Sequence, residues 1–87
     1  MSTSPFNKYI VMINGIPAQL NEYTNTPKGG ILLSATPGTL FGSRREASAA
    51  IKRSLKFANE NNLPWEEKEY RIERVQEGAV VISGWKY

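Results

Sequence analysis

The chain predicts an α+β fold: a small antiparallel sheet with one helix packed on one face, in the order ββ(β)αββ. Three observations carry that expectation. One stretch, Gly42 to Pro64, reads as a helix with both ends specified. Short β-type runs lie on either side of it. An Asn-Gly pair follows the first of those runs at once, which is a strong short-range hairpin signal.

Taken in order, residues 1–6 are polar and rich in Ser, Thr and Pro, and are expected to form a flexible N-terminus ahead of a single domain over 7–87. Tyr9 to Ile13, YIVMI, is a continuous apolar run of strand length, and Asn14-Gly15 turns it back. The return strand carries a weak alternation at Ala18 and Leu20, and Pro17 limits it to an edge or a late start. After the turn-rich NTPKGG, Ile31 to Ala35 makes a short third strand that ends at Thr36-Pro37-Gly38. Leu40 and Phe41 are expected to tuck under the start of the helix.

In the helix, Ser43 is the natural N-cap and Glu46 completes a capping box. Ala47, Ile51, Leu55 and Ala58 form the apolar stripe. Asn62 suits the left-handed position after the last turn, and Pro64 forbids continuation. Beyond it, Tyr70, Ile72 and Arg74 share one face of a strand, and Arg71, Glu73 and Val75 the other. Glu77-Gly78 reads as a tight turn, and Ala79 to Ser83 as the partner strand.

Composition narrows the chemistry. The 87 residues contain no Cys and no His, and all eight acidic residues are Glu. The commonest general base, the commonest zinc ligand and every thiolate are therefore missing. No catalytic motif, metal site or cofactor is predicted, and the chain is expected not to be an enzyme. TPGTLFGS before the helix has a Gly-x-x-x-Gly spacing but lacks the Gly-Lys-Ser/Thr ending of a phosphate-binding P-loop. No run of about 18 apolar residues predicts a membrane span, and MSTSPFNK has no signal-peptide pattern, so a cytoplasmic location is expected.

The formal charge is +3 and the mean hydropathy −0.42. At about 100° per residue, Arg45, Lys52 and Lys56 fall in one row away from the apolar stripe, flanked by Arg44 and Arg53. Such a row suits phosphates or an acidic protein surface, and equally suits a plain solvated helix face. Arg44 and Arg45 occupy the first turn, where the macrodipole disfavours a cation by about 0.3–1 kcal/mol. Either a partner holds them there, or Glu46, Glu66 or Glu67 neutralises them. Trp65 and Tyr70, with Tyr23, Trp85 and Tyr87, lie outside the clearest core runs, and Trp65 or Tyr70 is a candidate interface anchor.

The hairpin with Asn14-Gly15, the segment FGSRREASAAIKRSLKFANENNLPW and the strand EYRIERV together resemble small accessory proteins of bacteriophages and prophages. Anti-CRISPR proteins are the best-known group among them. The likeness runs from Phe41 to Val75 and is one of build rather than of motif. It implies a non-enzymatic binding protein that occludes a host protein or nucleoprotein complex, in the host cell cytoplasm. Many anti-CRISPR proteins are acidic and imitate DNA. This chain is basic, so its target would be an acidic protein patch or nucleic acid. The group shares no site, so the resemblance assigns no residue a role. Two other expectations stand beside it: a small basic nucleic-acid-binding protein using the same helix face, and a structural domain that homodimerises through the uncovered sheet face.

Overall fold

A computed structural model of the chain describes residues 8–75 and 81–86. The strands are β1 (Lys8–Ile13), β2 (Ile16–Asn21), β3 (Ile31–Ser34), β4 (Leu40–Phe41), β5 (Tyr70–Val75) and β6 (Val81–Lys86). One helix, α1 (Arg44–Glu60), is followed by a single 3-10 turn, Trp65–Glu67. The α+β class is the expected one. All described pairings are antiparallel, and the strands run β3-β2-β1-β5-β6 across the sheet, with β4 beside β1.

The hairpin forms where Asn14-Gly15 predicts it. Both turn residues take positive φ, 51° and 80°, as a two-residue turn matched to strand twist requires. Asn14 also extends the β1–β5 ladder. Its backbone N–H donates to the Glu69 carbonyl, and its Oδ1 accepts the Glu69 N–H, each at 2.8 Å. Pro17 does not place β2 at an edge, because β2 lies between β1 and β3. It marks instead where pairing with β3 begins, at Ala18. Its carbonyl accepts the Ala35 N–H at 3.0 Å.

One strand was not expected. β1 and β2 pair only at Met12–Pro17 and Ile13–Ile16, then diverge, and β4 pairs with the vacated edge of β1 at Ile10–Leu40 and Tyr9–Phe41. Alternation then splits the two residues expected to tuck together. Phe41 enters the core at 8% exposure, whereas Leu40 is 53% exposed. The expected turn at Glu77-Gly78 lies outside the described residues. The last strand runs to Lys86, so Gly84 and Trp85 belong to it.

Both ends of α1 follow from local chemistry. Ser43 Oγ accepts the Glu46 N–H at 3.1 Å and its hydroxyl donates to Glu46 Oε2 at 3.2 Å, so the carboxylate closes the box on the side chain. At the other end Asn62 sits at φ 58°, and the Leu63 N–H reaches back to the Ala58 carbonyl at 2.8 Å. The buried stripe is Ala47, Ala50, Ile51, Ser54 and Ala58, with Leu55 only partly buried at its margin. It covers Val11, Ile13 and Ile72 of the sheet.

Ser54 is the polar member of that stripe, at 0% exposure. Its Oγ accepts the Leu32 N–H at 2.8 Å, and its hydroxyl donates to the Ala50 carbonyl at 2.7 Å. The edge of β3 that turns away from β2 is thus closed by the helix, one of the ways proteins protect an edge strand.

Ile51 has no exposed surface and Leu55 has some, so the two positions differ in cost. Ile51→Asp places an unpaired charge in the centre of the core and is expected to abolish cooperative thermal unfolding monitored by circular dichroism. Leu55→Asp is expected to lower the melting temperature and leave a folded state. A folded Ile51→Asp protein of wild-type melting temperature would contradict the assigned helix face.

Candidate functional site

The helix rotation set by the Ala50, Ile51 and Ser54 burial sends Arg45, Lys52 and Lys56 straight out from the sheet, and all three are exposed. They form one ridge, with about 10 Å of helix axis between the first two and about 6 Å between the last two. Among the described residues, the one ion pair between side chains within 4 Å joins Arg71 Nε to Glu73 Oε2 at 3.6 Å. Glu46 is occupied with Ser43. Glu66 and Glu67 lie past the far end of α1, about 20 Å along the axis from Arg45, so they do not neutralise it. Arg44 is also exposed but takes part in an interaction of its own, and the ridge does not depend on it. Lys52 and Lys56 stand four apart, where like charges repel by about 0.2–0.5 kcal/mol.

Arg53 has a different task from the one its position in the row suggests. Its Nε donates to the Gly30 carbonyl at 2.7 Å and its Nη2 to the Gly29 carbonyl at 3.0 Å. The guanidinium therefore fastens the loop before β3 to the helix. Gly29 has φ 99°, and a Cβ there would lie 2.9 Å from Arg53 Cζ, so both the backbone and the clamp require glycine.

This fastening creates a groove. On the ridge side, Lys52, Arg53, Lys56, Phe57, Glu60 and Pro27 line a cavity of about 360 Å³. On the other side of Phe57, Glu22, Tyr23, Thr24, Asn25, Thr26 and Ile31 line one of about 570 Å³. The loop wall is held by its own bonds: Thr26 Oγ1 donates to the Tyr23 carbonyl at 2.8 Å and accepts the Tyr23 N–H at 2.9 Å. The Tyr23 side chain is left outside, and the residue is 58% exposed.

The two candidate anchors part company. Trp65 is half-buried, its ring 6.0 Å from that of Phe57 at 43°. Tyr70 is a core residue at 6% exposure and is withdrawn from the site. It pairs with Ile13, and its hydroxyl donates to the Trp65 carbonyl at 3.0 Å. Phe57 and the Thr24–Thr26 turn were not singled out from sequence. Phe57 lies one turn after Arg53, and that spacing is the signal that joins it to the groove.

Among the described residues, no group of three or more Asp, Glu, His or Cys is placed to hold a metal, and no helix is long and apolar enough to cross a membrane. No protein-family model matches the chain, nor does any curated protein or solved structure. What fold and site define is an α+β protein with a cationic helix ridge beside an aromatic groove.

Burial pushes the Tyr70 phenol above its usual value near 10. The unfolded chain therefore loses this proton first as pH rises, and the contribution is whole below pH 10 and fades above it. Melting temperature is expected to fall more steeply above pH 10 in wild type than in Tyr70→Phe, as measured by pH-dependent thermal denaturation. Equal slopes would show that the phenol is not buried.

Proposed function

We propose that this chain is a non-enzymatic binding protein of phage or mobile-element type, which occludes a host nucleoprotein complex by laying the outer ridge of α1 on its anionic surface. The observation that carries the proposal is the ridge itself. Arg45, Lys52 and Lys56 stand in one line, exposed and without an ion-pair partner among the described residues; the helix dipole acts against Arg45 in the first turn, and mutual repulsion acts against the Lys52–Lys56 pair. A cost left uncompensated within the fold is the mark of a group kept for a contact. The build from Phe41 to Val75, similar to that of small phage inhibitors, supports the same reading. A His- and Cys-free chain is poorly equipped for turnover.

Arg45→Glu with Lys52→Glu tests it. The variant is expected to keep the wild-type melting temperature within a few degrees, since both side chains are exposed. Wild type should be held on heparin-agarose and released by salt, and the variant should pass through at low salt. Tagged protein expressed in the host should likewise hold one stoichiometric assembly, reconstituted from purified parts, that the variant does not. Unchanged heparin retention would overturn the proposal. So would reproducible hydrolysis of nucleotides, peptides or nucleic acid lost on a single Glu→Gln change.

A further inference from the structure

The groove beside the ridge differs from the ridge in kind, because its two ends offer different chemistry. The end lined by Lys52, Arg53 and Lys56 is cationic, with Glu60 the one carboxylate. The end beyond Phe57 has no cation. It offers the exposed Tyr23 ring, the hydroxyl of Thr24, the amide of Asn25 and the carboxylate of Glu22. A ligand filling both must be anionic at one end and flat, uncharged and hydrogen-bonding at the other.

An acidic peptide satisfies the first half and not the second. Its further carboxylates would meet Glu22 where no cation lines the wall, a like-charge contact that costs affinity. A nucleotide satisfies both. Its phosphate suits the lysines, its base has a π-face for Tyr23 or Phe57, and its ring edge has donors and acceptors for Asn25 and Thr24. The cavities, about 360 and 570 Å³, fall within the range of about 300–1,000 Å³ usual for ligand sites. A duplex keeps its bases stacked inside and has no π-face to offer, so the strand must be unpaired. Arg53 keeps the walls in place before any ligand arrives, because its bonds to Gly29 and Gly30 fix the loop to the helix.

We infer that the groove between α1 and the loop over 22–30 binds unpaired nucleic acid, with backbone phosphate against Lys52 and Lys56 and a base stacked on Tyr23 and Phe57. The inference deepens the proposed function and rests on it: the part of the host nucleoprotein that the chain grips is its exposed single strand.

The test is fluorescence anisotropy with a fluorescein-labelled eight-residue oligodeoxythymidylate in low salt. The comparisons are a GC-rich hairpin duplex carrying the same label, which stays paired in low salt, and a Glu-rich peptide carrying one Phe. Tyr23→Ala is the informative variant, because the ring is mostly exposed and the turn is held by backbone and Thr26 bonds rather than by the phenol. Wild type should bind the single strand saturably and the duplex and peptide more weakly. Tyr23→Ala should weaken binding about tenfold or more at unchanged melting temperature, and Tyr23→Phe should restore it. Lys52→Gln with Lys56→Gln should flatten the slope of log affinity against log salt by about 1.4, at about 0.7 per phosphate contact. Tyr23→Ala binding at wild-type strength, or tighter binding of the peptide, overturns the inference. Absence of oligonucleotide binding with ridge-dependent heparin retention intact overturns this inference alone. Loss of ridge dependence on heparin overturns the reading beneath it.

Discussion

The hydroxyl of Ser54 is the contact on which the arrangement depends. It has no access to solvent, and it gives the Leu32 N–H the partner that no strand supplies. Without it that donor would be buried and unsatisfied, at a cost of about 1–3 kcal/mol. The neighbouring residue acts on the preceding stretch of chain, since Arg53 holds the carbonyls of Gly29 and Gly30. Two adjacent helix positions, about 100° apart, thus grip the chain from Gly29 to Leu32. The helix is thereby fixed in rotation as well as position, and the ridge and the groove are consequences of that rotation.

What was legible in the sequence was what local chemistry decides. Asn14-Gly15, Ser43, Asn62 and Pro64 each act through their own backbone or their nearest neighbours, and each end of an element falls where they place it. The ridge was legible for a similar reason, because helical period alone puts Arg45, Lys52 and Lys56 in line. β4 was not legible, because two residues carry no period, and they pair only because β1 and β2 part after Met12 and Pro17.

The Ser54 contact and the Arg53 clamp were hidden for one reason. A serine within a helix and an arginine beside lysines have nothing in their neighbours that announces a role, and the partner of each lies more than twenty positions away. Tyr70 is instructive in the other direction. Alternation put it on one strand face with Ile72, and burial of that face under the helix makes it core rather than the anchor that an aromatic outside the core runs suggested. The groove was visible only in part, since Tyr23 stood out from sequence while the wall that joins it to Phe57 is made by the Arg53 clamp.

Ridge and groove divide the work of recognition in physical terms. Exposed cations act at a distance and raise the rate of encounter, an effect that falls with salt. A preformed groove acts at contact and governs how long the complex lasts. Both depend on α1 being held against β3, and amide hydrogen exchange at Leu32 tests that directly. The account predicts that the Leu32 amide is protected as well as those of Val11 and Ile72 in wild type. It predicts that Ser54→Ala selectively lowers protection at Leu32 and over the stretch from Gly29. A wild-type Leu32 amide that exchanges as fast as those of the Thr24–Thr26 turn would contradict it.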